Sequence, residues 1–192
     1  MGNMKKYYVE SEALPELFPT HQHEADFWEI LGRTVATFGF LEEILGKAIF
    51  ALTATKPYSE DESQIAYENW SKKLEKALID QLSRLTKAYT KAISEHPDST
   101  ITNLGELIQQ LEEAAKIRNV ICHGSWRVPD ESGASIPFFV SFDKMVFDTP
   151  MDKKFLLQVQ RHVGELSCSI INTVTQMGFQ FPGSKGPGKP IL

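Results

Sequence analysis

Cysteine is scarce in this chain, and its scarcity excludes a fold that is held together by disulfides. The 192 residues include two cysteines, Cys122 and Cys168, each within an apolar helical pattern. Small disulfide-rich domains carry many more cysteines over a shorter length. We therefore expect two reduced thiols in the core of a cytoplasmic protein.

Long apolar runs and an excess of basic residues are also missing. The chain has no apolar run of about 18 residues and no basic-then-apolar leader, so the sequence predicts neither a membrane span nor export. Its formal net charge of −5 disfavours a protein that coats nucleic acid through bulk positive charge. Any contact with nucleic acid must then be confined to a local cleft.

Signatures of cofactor and metal sites are absent too. The sequence contains no glycine-rich phosphate loop and no serine elbow. His21 and His23 could hold a metal ion, but no cysteine or carboxylate cluster at ligand spacing accompanies them, so solvated or capping roles are favoured. His162 is expected to be a packed or surface histidine. The sequence predicts no cofactor and no metal.

Helical periodicity, by contrast, extends over most of the chain, whose length suits one domain. Apolar residues recur at helical spacing over residues 24–54, 66–94, 104–123 and 151–177. The predicted fold class is therefore all-α, with the helices forming a four-helix bundle.

The period changes between the third and fourth helices. Residues 126–128, 136–142 and 144–147 are rich in β-branched and aromatic side chains and flank the turn-rich segment 129–135. This pattern predicts a small β-hairpin or meander inserted before the last helix.

The ends of the chain differ in composition from its middle. We expect an irregular N-terminal arm over residues 1–23, the helical domain over residues 24–178, and a disordered Gly/Pro tail over residues 179–192.

The third helix carries a charged residue where its pattern predicts the core. At about 100° per residue, its apolar side chains share one stripe. These residues are Leu104, Leu107, Ile108, Leu111, Ala114, Ala115, Ile121 and Cys122. Arg118 lies within the stripe, seven residues after Leu111. Because arginine is seldom buried without a partner, we expect one.

The first helix offers that partner in Glu42. This residue belongs to the seven-residue series of Trp28, Val35 and Ile49, so a carboxylate also lies where burial is predicted. An isolated buried charge is costly, whereas a hydrogen-bonded pair is tolerated. We expect Glu42 and Arg118 to be buried and paired, either as a structural link between two helices or as part of a functional site.

Two further polar residues lie near the end of the third helix. Asn119 borders the apolar stripe, and His123, four residues later, is its neighbour on the helix surface. Gly124 follows where the helix is expected to end. Three polar groups of different chemistry are therefore predicted at the last turns of one helix.

Arg118, Asn119 and His123 have the order and spacing of the motif of the HEPN superfamily of α-helical domains. The chain resembles this family over roughly residues 24–177, including residues 38–45 of the first helix. Many HEPN domains are metal-independent endoribonucleases that work as dimers. Others have lost activity and serve as nucleotide-binding or assembly modules.

The resemblance implies a cytoplasmic homodimer that cleaves single-stranded or tRNA-like RNA as a toxin or defence effector, with an antitoxin or another protein as a partner. Certain toxin members carry a tyrosine two residues after the histidine as a target for nucleotidylation, and here that position is Ser125. The alternative is a non-catalytic HEPN module that binds a nucleotide or a protein partner.

The chemistry of the motif is consistent with RNA cleavage. Near neutral pH, a histidine can move the proton of a 2′-hydroxyl or of the leaving oxygen, and an arginine can balance the charge that builds up on phosphate. His123 and Arg118 fit these two roles. Asn119 could bind the phosphate or hold the imidazole, and Glu42 would hold Arg118 in place.

Geometry within one helix sets a condition on this chemistry. In a regular helix Arg118 and His123 point about 140° apart. A two-fold dimer would solve this, since two copies of the motif can line one composite cleft. Lys116 and Arg127 are the residues expected to provide the local positive field for RNA.

Overall fold

The computed structural model describes residues 6–59 and 81–191. Within these residues the chain is mostly helical, which confirms the all-α class. The four α-helices of the described residues are α1 (Ala25–Ala54), α2 (Leu82–Ser94), α3 (Leu104–His123) and α4 (Lys153–Thr175). Two short 3-10 turns, Ser11–Ala13 and Thr20–Gln22, precede α1. Residues 66–80 of the predicted second helix lie outside the described residues.

Helix α1 is the centre of the packing. It contacts α4 most extensively and also packs against α2 and α3. Its fully buried side chains are Phe27, Thr34, Phe38, Leu41, Leu45, Ala48, Ala51 and Leu52. The α1–α4 contact includes polar groups, because the amide nitrogen of Gln160 donates to the carbonyl of Ile30 at 3.1 Å and to the hydroxyl of Thr34 at 3.0 Å.

Helix α3 ends at His123, as the sequence predicts. Gly124 has φ of −69° and an extended conformation, so it does not need the left-handed freedom of glycine. A Cβ at this position would lie 2.5 Å from the carbonyl oxygen of Val120 and 2.9 Å from the Cβ of Pro137. Glycine therefore lets the segment around Pro137 approach the last turn of α3 closely.

The predicted β-hairpin or meander is not formed. Residues 125–151 contain isolated antiparallel bridges, Ser125–Phe138, Ser135–Met151 and Val140–Val146, and the described residues include no strand. Pro129 and Pro137 lack the N–H that a strand ladder needs, which limits pairing to single bridges. The segment nevertheless remains extended and folds onto the helices.

The residues after α4 have a defined path, although the sequence predicts a disordered tail over residues 179–192. Phe181 is buried in the core. The amide of Gln180 donates to the carbonyl of Lys189 at 2.9 Å, and the amide of Lys189 donates to the carbonyl of Gly178 at 2.7 Å. A buried aromatic ring and backbone pairing thus fix a stretch whose glycines and prolines suggest disorder.

The prediction of two core thiols is wrong, because Cys122 and Cys168 are both exposed and free. At the last turn of α3, Ile121 is buried while Cys122 faces outward. Cys168 shares the polar side of α4 with Glu165 and Asn172. None of the described helices combines the length and the apolar content that a membrane crossing requires.

Candidate functional site

The predicted contact between α1 and α3 is present. Arg118 Nε lies 3.4 Å from Glu42 Oε1, and the two side chains remain 21% and 24% exposed. The prediction that both residues are buried is therefore wrong, because each remains partly exposed. Val35, seven residues before Glu42 in the same series on α1, is 40% exposed, whereas Ile49, seven residues after it, is buried. Glu42 therefore lies where this series passes from the rim of the core into the core.

The ion pair between Glu42 and Arg118 is not a hydrogen bond. Glu42 Oε1 is itself buried and accepts no hydrogen bond from the residues that the structure describes. A buried carboxylate oxygen without a donor is costly, so the charge of the nearby guanidinium is what offsets its burial. Within the described chain the N–H groups of Arg118 are not used in hydrogen bonds, which leaves them available to another group.

Asn119 and His123 complete the motif on the same helix. Asn119 is half-buried, and His123 is exposed in the last turn of α3. No hydrogen bond or ion pair joins Arg118, Asn119 and His123 to one another in the described structure. One chain thus presents Arg118 on the inner side of α3 and His123 on its outer side, in keeping with their spacing.

Lys116 and Arg127 are both exposed, as contact with RNA would require. Arg127 follows α3 by four residues, and its guanidinium carbon lies 5.1 Å from the centroid of the Phe138 ring. This distance allows a cation–π contact. Arg127 is therefore held against the extended segment, whereas Lys116 projects from α3 itself.

An aromatic cluster around His23 fixes the segment that carries Arg127. The His23 ring stacks on Phe27 with centroids 4.0 Å apart and meets Trp28 and Trp126 edge-on. Its Nε2 lies 3.0 Å from the carbonyl oxygen of Arg127. Burial lowers the pKa of His23 below its ordinary value of 6.5, and the hydrogen bond to that carbonyl opposes the shift.

This role of His23 lies beyond the solvated or capping roles favoured by the sequence. His23 and Trp126 are about a hundred residues apart, and spacing alone gives no sign that they meet. As for the metal alternative, the described residues contain no group of three or more His, Cys, Asp or Glu side chains that could hold an ion. His162 is exposed on α4.

A separate polar cleft lies between the start of α3 and the end of α4. Its volume is about 210 Å³, and its polar lining includes Asn103, Glu106, Gln110, Asn172 and Gln176. Gln110 is the lining residue nearest to the C-terminal end of α3, and it lies about 20 Å from His123 along the helix axis. The residues of the HEPN-like motif do not line this cleft, so it is not part of the site described above.

Comparisons of the chain with protein-family models, with curated proteins and with solved structures found no match. The candidate site is consequently defined by its own geometry. It consists of the Glu42–Arg118 pair, the half-buried Asn119 and the exposed His123.

Proposed function

We propose that this protein is a metal-independent endoribonuclease of the HEPN type, acting in the cytoplasm as a toxin or defence effector. The observation that carries the proposal is the arrangement on α3. Arg118 is held by the charge of Glu42 with its N–H groups unused within the described chain, and an exposed His123 ends the same helix. A fixed cation and an accessible imidazole are the groups that RNA cleavage needs.

In the proposed reaction the 2′-oxygen of a ribose attacks the adjacent phosphorus. His123 accepts the 2′-hydroxyl proton or donates a proton to the 5′-oxygen as its bond to phosphorus breaks, and water exchanges the other proton. The products are a 2′,3′-cyclic phosphate and a 5′-hydroxyl. Arg118 balances the negative charge of the transition state, Asn119 hydrogen-bonds the phosphate or the imidazole, and Glu42 positions Arg118.

The site of the proposed enzyme is composite. Arg118 and His123 lie on opposite sides of α3, so one copy does not present both groups to one phosphate. A two-fold homodimer lets His123 of one copy act beside Arg118 of the other. Lys116 and Arg127 would contact the RNA backbone, which makes binding weaken as salt rises.

The pairing of Arg118 with Glu42 also favours a second function. If the charge of Arg118 serves only to offset the buried Glu42 carboxylate, the motif is a structural network. The protein would then be a non-catalytic HEPN module that binds a nucleotide or a protein partner.

Cleavage of single-stranded RNA in the presence of a metal chelator separates the two functions. We expect the wild-type protein to cut RNA and to leave DNA of the same sequence intact, because deoxyribose lacks the attacking hydroxyl. His123→Ala should lower the rate by roughly 10²–10⁴, as for the loss of a general acid or base. His162→Ala, which removes an exposed histidine of α4, should cut at the wild-type rate. Equal rates for wild type and His123→Ala would refute the enzyme.

A further inference from the structure

The extended segment before α4 has two different faces. Burial alternates along residues 136–142, with Pro137 buried and Phe139 packed against the core. The residues between them point away from the core. This two-residue period is that of a strand, although the chain here forms isolated bridges.

The outward-pointing side chains are apolar. Val146 joins them, since it is bridged to Val140 on the returning limb and therefore lies on the same side. We call this surface the outer face. Its members and their exposed fractions are Ile136 42%, Phe138 53%, Val140 46%, Phe142 100% and Val146 60%.

Such a face is unusual on a surface that meets water. An extended layer with one side on the core ordinarily carries polar residues on the other side. Taking about 200 Å² for a fully exposed aromatic side chain, the outer face presents on the order of 500 Å² of apolar area. That is at the upper end of the patches found on monomers, and such patches are often binding sites.

The composition of the outer face favours protein over RNA. Bases of single-stranded RNA bind by stacking on aromatic rings. Ile136, Val140 and Val146 are aliphatic and have no such ring. The ring of Phe138 already lies beneath the guanidinium of Arg127 at 5.1 Å.

We propose that the outer face is where a second copy of this chain docks. A two-fold interface pairs a patch with itself, so an apolar patch is self-complementary, and any charges on it are tolerated best when both signs are present. Exposed Asp143 and Lys144 lie at the turn between Phe142 and Val146, and exposed Asp148 follows. The rim of the patch thus offers a lysine that can face a carboxylate of the other copy, although each chain has a net charge of −5.

The size and the place of the outer face support the same partner. A standard interface buries about 800 Å² on each side, and the outer face supplies more than half of that. Ser125, two residues after His123, bridges to Phe138. If the dimer that docks here is also the one that forms the composite site, its two His123 residues lie near the axis. This last point rests on the proposed function, whereas the docking itself does not.

Sedimentation analysis over a range of micromolar concentrations tests the docking. We expect wild type to be a dimer and Val140→Asp to raise the dimer dissociation constant at least tenfold, because the two-fold axis places two new carboxylates in one apolar interface. Its circular dichroism should be unchanged, since Val140 is 46% exposed. The matched control is Phe40→Asp, which charges a 49% exposed site on α1 and should leave the dimer intact.

The RNA assay distinguishes failure of the docking from failure of the proposed enzyme. His123→Ala should remain a dimer and lose cleavage, whereas Val140→Asp should be monomeric and cleave at least tenfold more slowly. A monomeric wild type, or a Val140→Asp protein that dimerises like wild type, would overturn the docking. Loss of RNA binding in a monomeric Val140→Asp, with wild type also monomeric, would assign the face to RNA instead. If the proteins dimerise as expected but cut no RNA, the docking proposal is supported and the proposed ribonuclease activity is refuted.

Discussion

Arg118 and Glu42 show how a charged pair at the rim of a core affects stability. Replacing one partner, as in Glu42→Leu or Arg118→Met, leaves the other charge without its offset. Because each side chain is about a quarter exposed, we expect the free energy of unfolding to fall by about 1–2 kcal/mol. This is less than the roughly 3–5 kcal/mol typical of breaking a fully buried pair. The double variant should lose less than either single one, as measured by urea unfolding.

Glu43, the next residue on α1, is the control for this pair. It is 55% exposed and pairs with Lys47 on the helix surface. Glu43→Leu should change the free energy of unfolding by less than about 0.5 kcal/mol, as for other exposed ion pairs. If the double variant of Glu42 and Arg118 loses as much as both single variants combined, the two residues do not act as a pair.

His23 and His96, a buried histidine two residues after the end of α2, make the stability of the fold depend on pH. Burial lowers the pKa of both below the ordinary 6.5. In the unfolded chain the same groups take up protons near pH 6.5. Below pH 6.5 the unfolded state therefore binds more protons than the folded state. The stabilisation that the two neutral histidines give the folded state is complete above pH 6.5 and is lost as the pH falls.

Unfolding free energies measured between pH 5 and pH 7 should accordingly rise with pH. His23→Gln should reduce the slope, because glutamine does not titrate. An unchanged slope in His23→Gln would show that His23 titrates alike in the folded and the unfolded chain.

Among these residues, the sequence predicts the pair between α1 and α3 because each charge interrupts an apolar series. Full burial is not predictable in the same way, since the series of Glu42 also contains the exposed Val35. The contact between His23 and Trp126 depends on the tertiary fold, which brings two segments distant in sequence together.

At the scale of elements, the junction between α3 and the extended segment is tightly packed at Gly124. Gly124→Ala places a Cβ 2.5 Å from the carbonyl oxygen of Val120, so the backbone or Pro137 must move. We expect this substitution to lower the free energy of unfolding, measured by thermal or urea denaturation, by about 1–3 kcal/mol. Gly164→Ala in α4 meets no atom within 4 Å and should instead stabilise the protein by roughly 0.5–1 kcal/mol. A neutral Gly124→Ala would contradict the close approach.

The helices and the extended segment differ in how far sequence patterns determine them. The sequence predicts α1, α3 and α4 nearly to their ends, because a helix satisfies its hydrogen bonds locally. A strand needs a partner with free N–H groups, and alternation alone does not reveal whether one is present. Pro129 and Pro137 remove two donors, and the alternation survives as two faces without a ladder.

At the scale of the whole molecule, residues after α4 close the core. Phe181 is 5% exposed, so Phe181→Ala should lower the free energy of unfolding by about 3–5 kcal/mol. Phe40→Ala, at a ring that is 49% exposed on α1, should cost much less. Equal effects of the two substitutions would show that the tail does not pack on the core in solution. Composition alone predicts disorder for this tail because glycine and proline counts carry no information about one anchoring ring.

The candidate site, like the tail, is only partly predictable from the sequence. The sequence indicates its residues, since the motif falls at the end of one helix. Their spacing also predicts that Arg118 and His123 point to different sides of α3. It does not show how far Arg118 is buried against α1, nor that an apolar face begins just after His123. These two features depend on how α3 and the extended segment pack on α1 and the rest of the core.

The chemistry of cleavage is the most direct test of the proposed enzyme. Once a cleavage position has been mapped, an RNA with a single 2′-deoxy nucleotide on the 5′ side of that bond is incubated with wild-type protein and chelator. We predict that this bond survives while other bonds are cut, and that the new ends carry 2′,3′-cyclic phosphate or its hydrolysed form. Cleavage at the deoxy position, or 3′-hydroxyl ends, would contradict attack by the 2′-oxygen and with it the proposed roles of His123 and Arg118.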